Sequence, residues 1–154
     1  MIRYTLPIIT LLTITFVGCE PTSTSPSPRV GPPPGGSALR VIDPTTLPAG
    51  ISKGWRYATS SGKPGWLLEI PVRSKSAHFP VRIAVESGKI VSLQVPRYNS
   101  THGRSAARPA YTDLFADRRK SALPVDAISG ATSTSNAINR AAAKALAAAD
   151  TLER

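Results

Sequence analysis

The sequence predicts an α+β domain, an antiparallel β-meander of three to five strands packed against a C-terminal α-helix. Three observations predict it. Between Trp55 and Tyr98 apolar residues recur at alternate positions, the period of a strand with one buried face. Ser87-Gly88 joins two of these runs directly, as a hairpin turn does. From about Asn136 to Leu152 the period changes to three and four, and alanine dominates, which makes an amphipathic helix able to lie closely on a sheet.

In chain order, Met1 to Gly18 carries one positive charge, Arg3, and then an apolar run from Leu6 to Val17 interrupted by Thr10, Thr13 and Thr15. The run is short for a membrane span of about 20 residues but suits the core of a signal peptide. Its end, Phe16-Val17-Gly18-Cys19, resembles the lipobox of bacterial lipoproteins, so residues 1–18 are expected to be a leader and Cys19 the lipidated new N-terminus. Cys19 is also the only cysteine, which excludes an intramolecular disulfide and a cysteine-based metal site. Residues 19–40 then form a Pro/Ser/Gly-rich tether, with six prolines in the seventeen residues from Glu20 to Gly36 and little to bury.

The folded domain is expected over residues 41–154, with Val41, Ile42, Leu47 and Ile51 covering one edge of the core. Gly54 to Ser60 is a short aromatic strand, and Ser61 to Gly65 a turn. Trp66, Leu68, Ile70 and Val72 make the buried face of the next strand, with Pro71 marking an edge or strand end. Past the polar break Ser74 to Ala77 come Val81, Ile83 and Val85, and after Ser87-Gly88 come Val91, Leu93 and Val95. Asn99 to Ala110 reads as a loop and Tyr111 to Phe115 as a short helix turning Leu114 and Phe115 inward. Arg118-Arg119-Lys120 reads as a solvated surface. In the last helix Ile138, Ala142, Ala145, Leu146, Ala149 and Leu152 form the apolar stripe, while Asn139, Arg140, Lys144 and Asp150 fall outside it.

With 19 Lys and Arg against 9 Asp and Glu, the net charge of +10 favours an anionic partner. Nucleic acid is disfavoured, because no long basic run, zinc spacing or aromatic RNA-binding signature accompanies the charge. The stretch Asp126-Ala127-Ile128-Ser129-Gly130-Ala131-Thr132-Ser133-Thr134-Ser135 offers a more specific answer. Gly130 permits a tight turn and close backbone approach, Thr132 presents a hydroxyl, and Thr134 or Ser135 can cap the helix that follows. The N–H groups of Ser133 to Ser135, at the positive end of the helix dipole, then suit a phosphate.

Asp126, Ser129, Gly130, Ala131 and Thr132 match the D-x-x-[ST]-G-A-T pattern, so the chain resembles the FMN-binding domain family, found in flavin-carrying subunits of sodium-pumping quinone reductases and related membrane complexes. The resemblance implies FMN esterified through its phosphate to Thr132, with Asp126, Ser129, Gly130, Ala131 and Ser133 around it. It also implies a separate flavin transferase that uses FAD, and a membrane redox protein as electron donor. Asp126, repulsive toward a phosphate, is expected either to serve the modifying step or to fix the turn through backbone N–H groups. Tyr98, His102, Arg104 and Tyr111 are candidates to lie by the flavin ring. With the lipobox, the resemblance gives a lipid-anchored electron carrier on the extracytoplasmic face of a bacterial membrane. A noncovalent binding module for a phosphorylated ligand or anionic polymer, and a flavin enzyme acting alone on a small molecule, are the competing readings.

Overall fold

The computed structural model describes residues 39–154. The expected leader, Cys19 and nearly all of the tether lie outside the described residues. Strands β1 (Arg40–Val41), β2 (Lys53–Ala58), β3 (Pro64–Arg73), β4 (His78–Glu86) and β5 (Lys89–Gln94) form one sheet in sequence order. All neighbours are antiparallel. A one-turn helix α1 (Pro109–Thr112) follows, then the long C-terminal helix α2 (Thr132–Leu152). The α+β meander is therefore as the alternation predicts, at the upper end of three to five strands.

The register explains the core. Trp66 lies opposite Val85, Leu68 opposite Ile83, Ile70 opposite Val81 and Val72 opposite Phe79, so one sheet face is continuously apolar. Helix α2 buries Ile138, Ala142, Ala145 and Leu146 against it, and the small alanines let the helix approach the sheet closely. Pro71 and Pro80 face each other across β3 and β4. Neither has an N–H, so they make a non-bonded pair whose nitrogens turn outward. There, pairing with β2 has ended at Lys53 and Glu69, and pairing with β5 at Gln94 and Arg82. Beyond the prolines the β3–β4 ribbon runs on alone and carries its tip, Ser74 to Ala77, past the sheet.

Four expectations are corrected. In β5 the core residues are Ile90 and Leu93, while Val91 packs on the opposite face, because a bulge opposite Ala84 and Val85 shifts the alternation by one. Val41 is 76% exposed, since β1 is a two-residue edge strand, although Ile42, Leu47 and Ile51 do pack on the core. Leu114 points to solvent while Phe115 is fully buried, because the turn after α1 is a 3-10 turn that presents only one of two neighbours inward. Asn139 lies on the buried stripe of α2, not outside it.

On the other face Tyr57, Leu67 and Ala84 are buried, and the Tyr57 hydroxyl donates to Glu86 Oε1 at 2.9 Å. Burial, the hydrogen bond and the charge of Glu86 hold this phenol far above the usual tyrosine range. A raised folded-state value means stability that is complete below about pH 10 and drains away as pH rises past it. Urea midpoints measured from pH 8 upward are expected to fall more steeply above about pH 10 in the wild type than in Tyr57→Phe.

Candidate functional site

The site begins with a strap clasped to the middle of α2. Val125 N–H donates to Asn139 Oδ1, and Asn139 Nδ2 donates back to the Val125 carbonyl, both at 2.8 Å. The same amide also reaches the Ser135 carbonyl at 3.2 Å and the Tyr111 hydroxyl at 3.3 Å. Ile128 N–H then donates to Ser135 Oγ, and Ala131 N–H to the Ile128 carbonyl, closing a turn over Ile128 to Ala131. Gly130 sits in it at φ +75°, where a side-chain residue would be strained. A Cβ there would meet nothing within 4 Å, so the space beside Gly130 is open.

Helix α2 starts at Thr132, four residues before the expected Asn136, with Ala131 as an N-cap lacking any side-chain cap bond. The predicted caps are already occupied. Ser133 Oγ accepts from Lys75 N–H at 2.8 Å, Thr134 Oγ1 bonds the Tyr98 hydroxyl at 3.0 Å, and Ser135 Oγ holds Ile128. Hydroxyls engaged by tertiary partners do not compete with the helix backbone. Ser135 N–H closes onto the Ala131 carbonyl at 2.9 Å, so the N–H groups without a partner among the described residues are those of Thr132, Ser133 and Thr134. The set is displaced by one residue from the expected Ser133 to Ser135.

Those bonds also bring two distant segments to the helix start. The tip of the β3–β4 ribbon arrives through Lys75. The loop after β5 arrives through Tyr98, whose ring meets Phe79 edge-on at 4.9 Å and whose hydroxyl donates to the His102 carbonyl at 2.6 Å. With that proton committed, Thr134 is the donor in its bond with Tyr98. Gly103, at φ +76°, packs so tightly that a Cβ would collide with Thr134 Oγ1. Gly103→Ala is therefore expected to cost more stability than Gly130→Ala, which adds only the strain of about 1–2 kcal/mol for a left-handed alanine. Paired urea melts would reverse this order if the loop were loosely held.

Lys75, Ser76, His102, Gly103, Gly130, Ala131, Ser133 and Thr134 line a cleft of about 360 Å³. Thr132 is exposed and is not itself among the cleft residues, though its neighbours Ala131 and Ser133 are; its hydroxyl has no partner among the described residues. Ser129 and Gly130 are exposed in the turn and Ala131 is buried beneath it. Asp126 is exposed and makes no hydrogen bond or ion pair within the described residues, so it does not fix the turn; Asn139 and Ser135 do. Of the ring candidates, His102 lines the cleft and Tyr98 braces its wall. Tyr111 does not take part, being 1% exposed, edge-on to Phe115, with burial raising its phenol above the ordinary range. Arg104 is exposed and is not among the cleft residues.

Sequence reasoning missed Lys75, Ser76, Gly103 and Asn139. Only Asn139 left a signal, three and four residues before the apolar Ala142 and after Ser135, on the stripe itself. The ribbon tip left none, since its contact with α2 spans 58 residues of sequence.

Three unpartnered N–H groups, a lysine with no carboxylate within ion-pair distance among the described residues, an open left-handed glycine and a free hydroxyl give this α+β domain a donor set suited to a phosphate. That donor set fits the phosphate end of FMN. Residues 75–147 match the family model of the FMN-binding domain, and this match supports a flavin-binding role. The match runs from the ribbon tip into the last turns of α2 and contains every cleft residue. A search of curated proteins found no significant match.

Proposed function

We propose that the domain carries FMN covalently, through a phosphoester on Thr132, as a membrane-tethered electron carrier. One observation carries the attachment point. Of the four consecutive hydroxyl residues Thr132 to Ser135, only Thr132 has an exposed side chain whose hydroxyl is uncommitted. In attachment, Thr132 Oγ attacks the FMN-side phosphorus of FAD. The Oγ–P bond forms, the pyrophosphate bond breaks, and AMP leaves with the electron pair. The hydroxyl proton passes to a base of the flavin transferase.

The chain's own residues would then hold the product. The unpartnered N–H groups of Thr132, Ser133 and Thr134 would donate to the phosphate, Lys75 at the cleft would add positive charge, and Gly130 keeps the approach free of side chain. Asp126, exposed and unengaged, offers the transferase a handle at the first position of the pattern. His102 and Gly103 wall one side of the cleft. Bound FMN supplies reversible electron transfer, and the surrounding positive charge favours its reduced, anionic form.

Lipidation of Cys19 and the tether would keep this carrier at the extracytoplasmic face, where it exchanges electrons with a membrane redox protein. The test is the intact mass of mature protein made with an active flavin transferase. Expected are one FMN per chain, colour that survives denaturant, and acyl chains on Cys19. An unmodified domain mass beside an active transferase overturns the covalent reading. Flavin released by denaturant favours the noncovalent phosphate-binding module, to which the same N–H groups are suited.

A further inference from the structure

Three of the four hydroxyls at the helix start are used as fasteners, each for a different segment. Ser133 takes the ribbon tip through Lys75 N–H at 2.8 Å, Thr134 takes the Tyr98–Gly103 loop at 3.0 Å, and Ser135 takes the turn through Ile128 N–H at 3.2 Å. Two of the three are inaccessible, Thr134 at 1% and Ser135 at 0% exposure. Ser133 is different. It is exposed, lines the cleft, and stands one residue from Thr132, so burial does not protect it from modification.

We infer that the ribbon tip is the specificity determinant of flavin attachment: the Lys75 N–H···Ser133 Oγ bond withholds Ser133 and leaves Thr132 as the acceptor. The inference rests on the proposed covalent attachment and deepens it. An oxygen that accepts a backbone N–H has a lone pair engaged and its rotamer fixed toward the ribbon, 58 residues away in sequence. A nucleophile needs that lone pair free and aimed at phosphorus. Thr132 has neither restriction. Selection is therefore made by the folded domain and not by the local run of hydroxyl residues, and Lys75 acts through Ser133 as a positioning residue.

The experiment uses full-length chains coexpressed with an active flavin transferase, with the modified residue located by peptide mass mapping. Wild type is expected to carry flavin on Thr132 alone. No flavin on any residue sinks the covalent proposal itself, independently of the selection argument. Thr132→Ala is expected to carry at most a small fraction of wild-type loading on Ser133, and loading there as full as that of wild-type Thr132 with the ribbon intact overturns the inference. Thr132→Ala combined with Lys75→Pro removes the donor N–H. It is expected to raise Ser133 loading roughly fivefold to tenfold, the factor one ordinary hydrogen bond is worth. No rise, in a background where Lys75→Pro alone still loads Thr132, overturns it. A second measurement needs neither flavin nor proline. Amide hydrogen exchange at Lys75 should be protected in the unmodified wild type and accelerate by a similar factor in Ser133→Ala. Unchanged exchange also overturns the inference.

Discussion

Thr132→Ala is expected to abolish covalent flavin completely while leaving the fold untouched. The side chain is exposed and donates to and accepts from nothing in residues 39–154, so its loss removes no native interaction. Surface substitutions of this kind change stability by no more than about 0.5 kcal/mol, which for a domain of this size is a shift in Tm of only a few degrees. Thr132→Ser keeps the hydroxyl on the first helical residue and is expected to retain attachment, which separates loss of the nucleophile from disturbance of the helix start. The measurement pairs intact mass with thermal melting of the same samples. Mass without flavin, together with an unchanged melt, is the expected pair for alanine. Full loading of the alanine variant would move the attachment point elsewhere.

Asn139→Ala carries the largest expected cost to stability. Asn139 is 7% exposed; its amide oxygen accepts from Val125 N–H, and its two amide hydrogens are shared among Val125 O, Ser135 O and the Tyr111 hydroxyl. Alanine leaves the Val125 N–H and carbonyl short of partners and opens a small void, for which about 2–4 kcal/mol is the expected loss. The effect reaches the site because Val125 leads directly into the pattern. With the strap released, the Ile128 to Ala131 turn loses its upstream anchor, and flavin loading should fall even at temperatures where the variant is folded. Asn139→Asp keeps an acceptor for Val125 N–H but turns a buried carboxylate oxygen toward the Val125 and Ser135 carbonyls, so it should be at least as destabilising as alanine at neutral pH. Urea denaturation gives the first effect, and mass-determined loading at low temperature the second. A stable Asn139→Ala with a normal loading would mean that the strap is held by something other than this side chain.

The sheet was legible because its information is local and redundant. Trp66, Leu68, Ile70 and Val72 repeat one period, and Ser87-Gly88, with φ of 48° and 71°, supplies the turn that a two-residue hairpin demands. The bulge in β5 was not legible, since Ile90 and Val91 are equally apolar and only pairing with β4 decides which faces the core. Leu114 and Phe115 pose the same difficulty, two adjacent apolar residues of which one must be exposed. At the helix start the local rule that Ser and Thr cap helices pointed to Thr134 or Ser135. It failed because those hydroxyls have better partners that the sequence places far away, at Tyr98 and across the turn to Ile128.

By itself the sequence determined the α+β class, the order of the strands, the long alanine-rich helix and the pattern from Asp126 to Thr132. Each of these depends on short-range periodicity or on the backbone freedom of one residue, such as Gly130. The tertiary structure alone decided which of four adjacent hydroxyls stays free, which N–H groups remain for a phosphate, and that Lys75 and His102 share a cleft with them. Those facts depend on hydrogen bonds between segments 36 and 58 residues apart, and no local pattern encodes a partner at that distance.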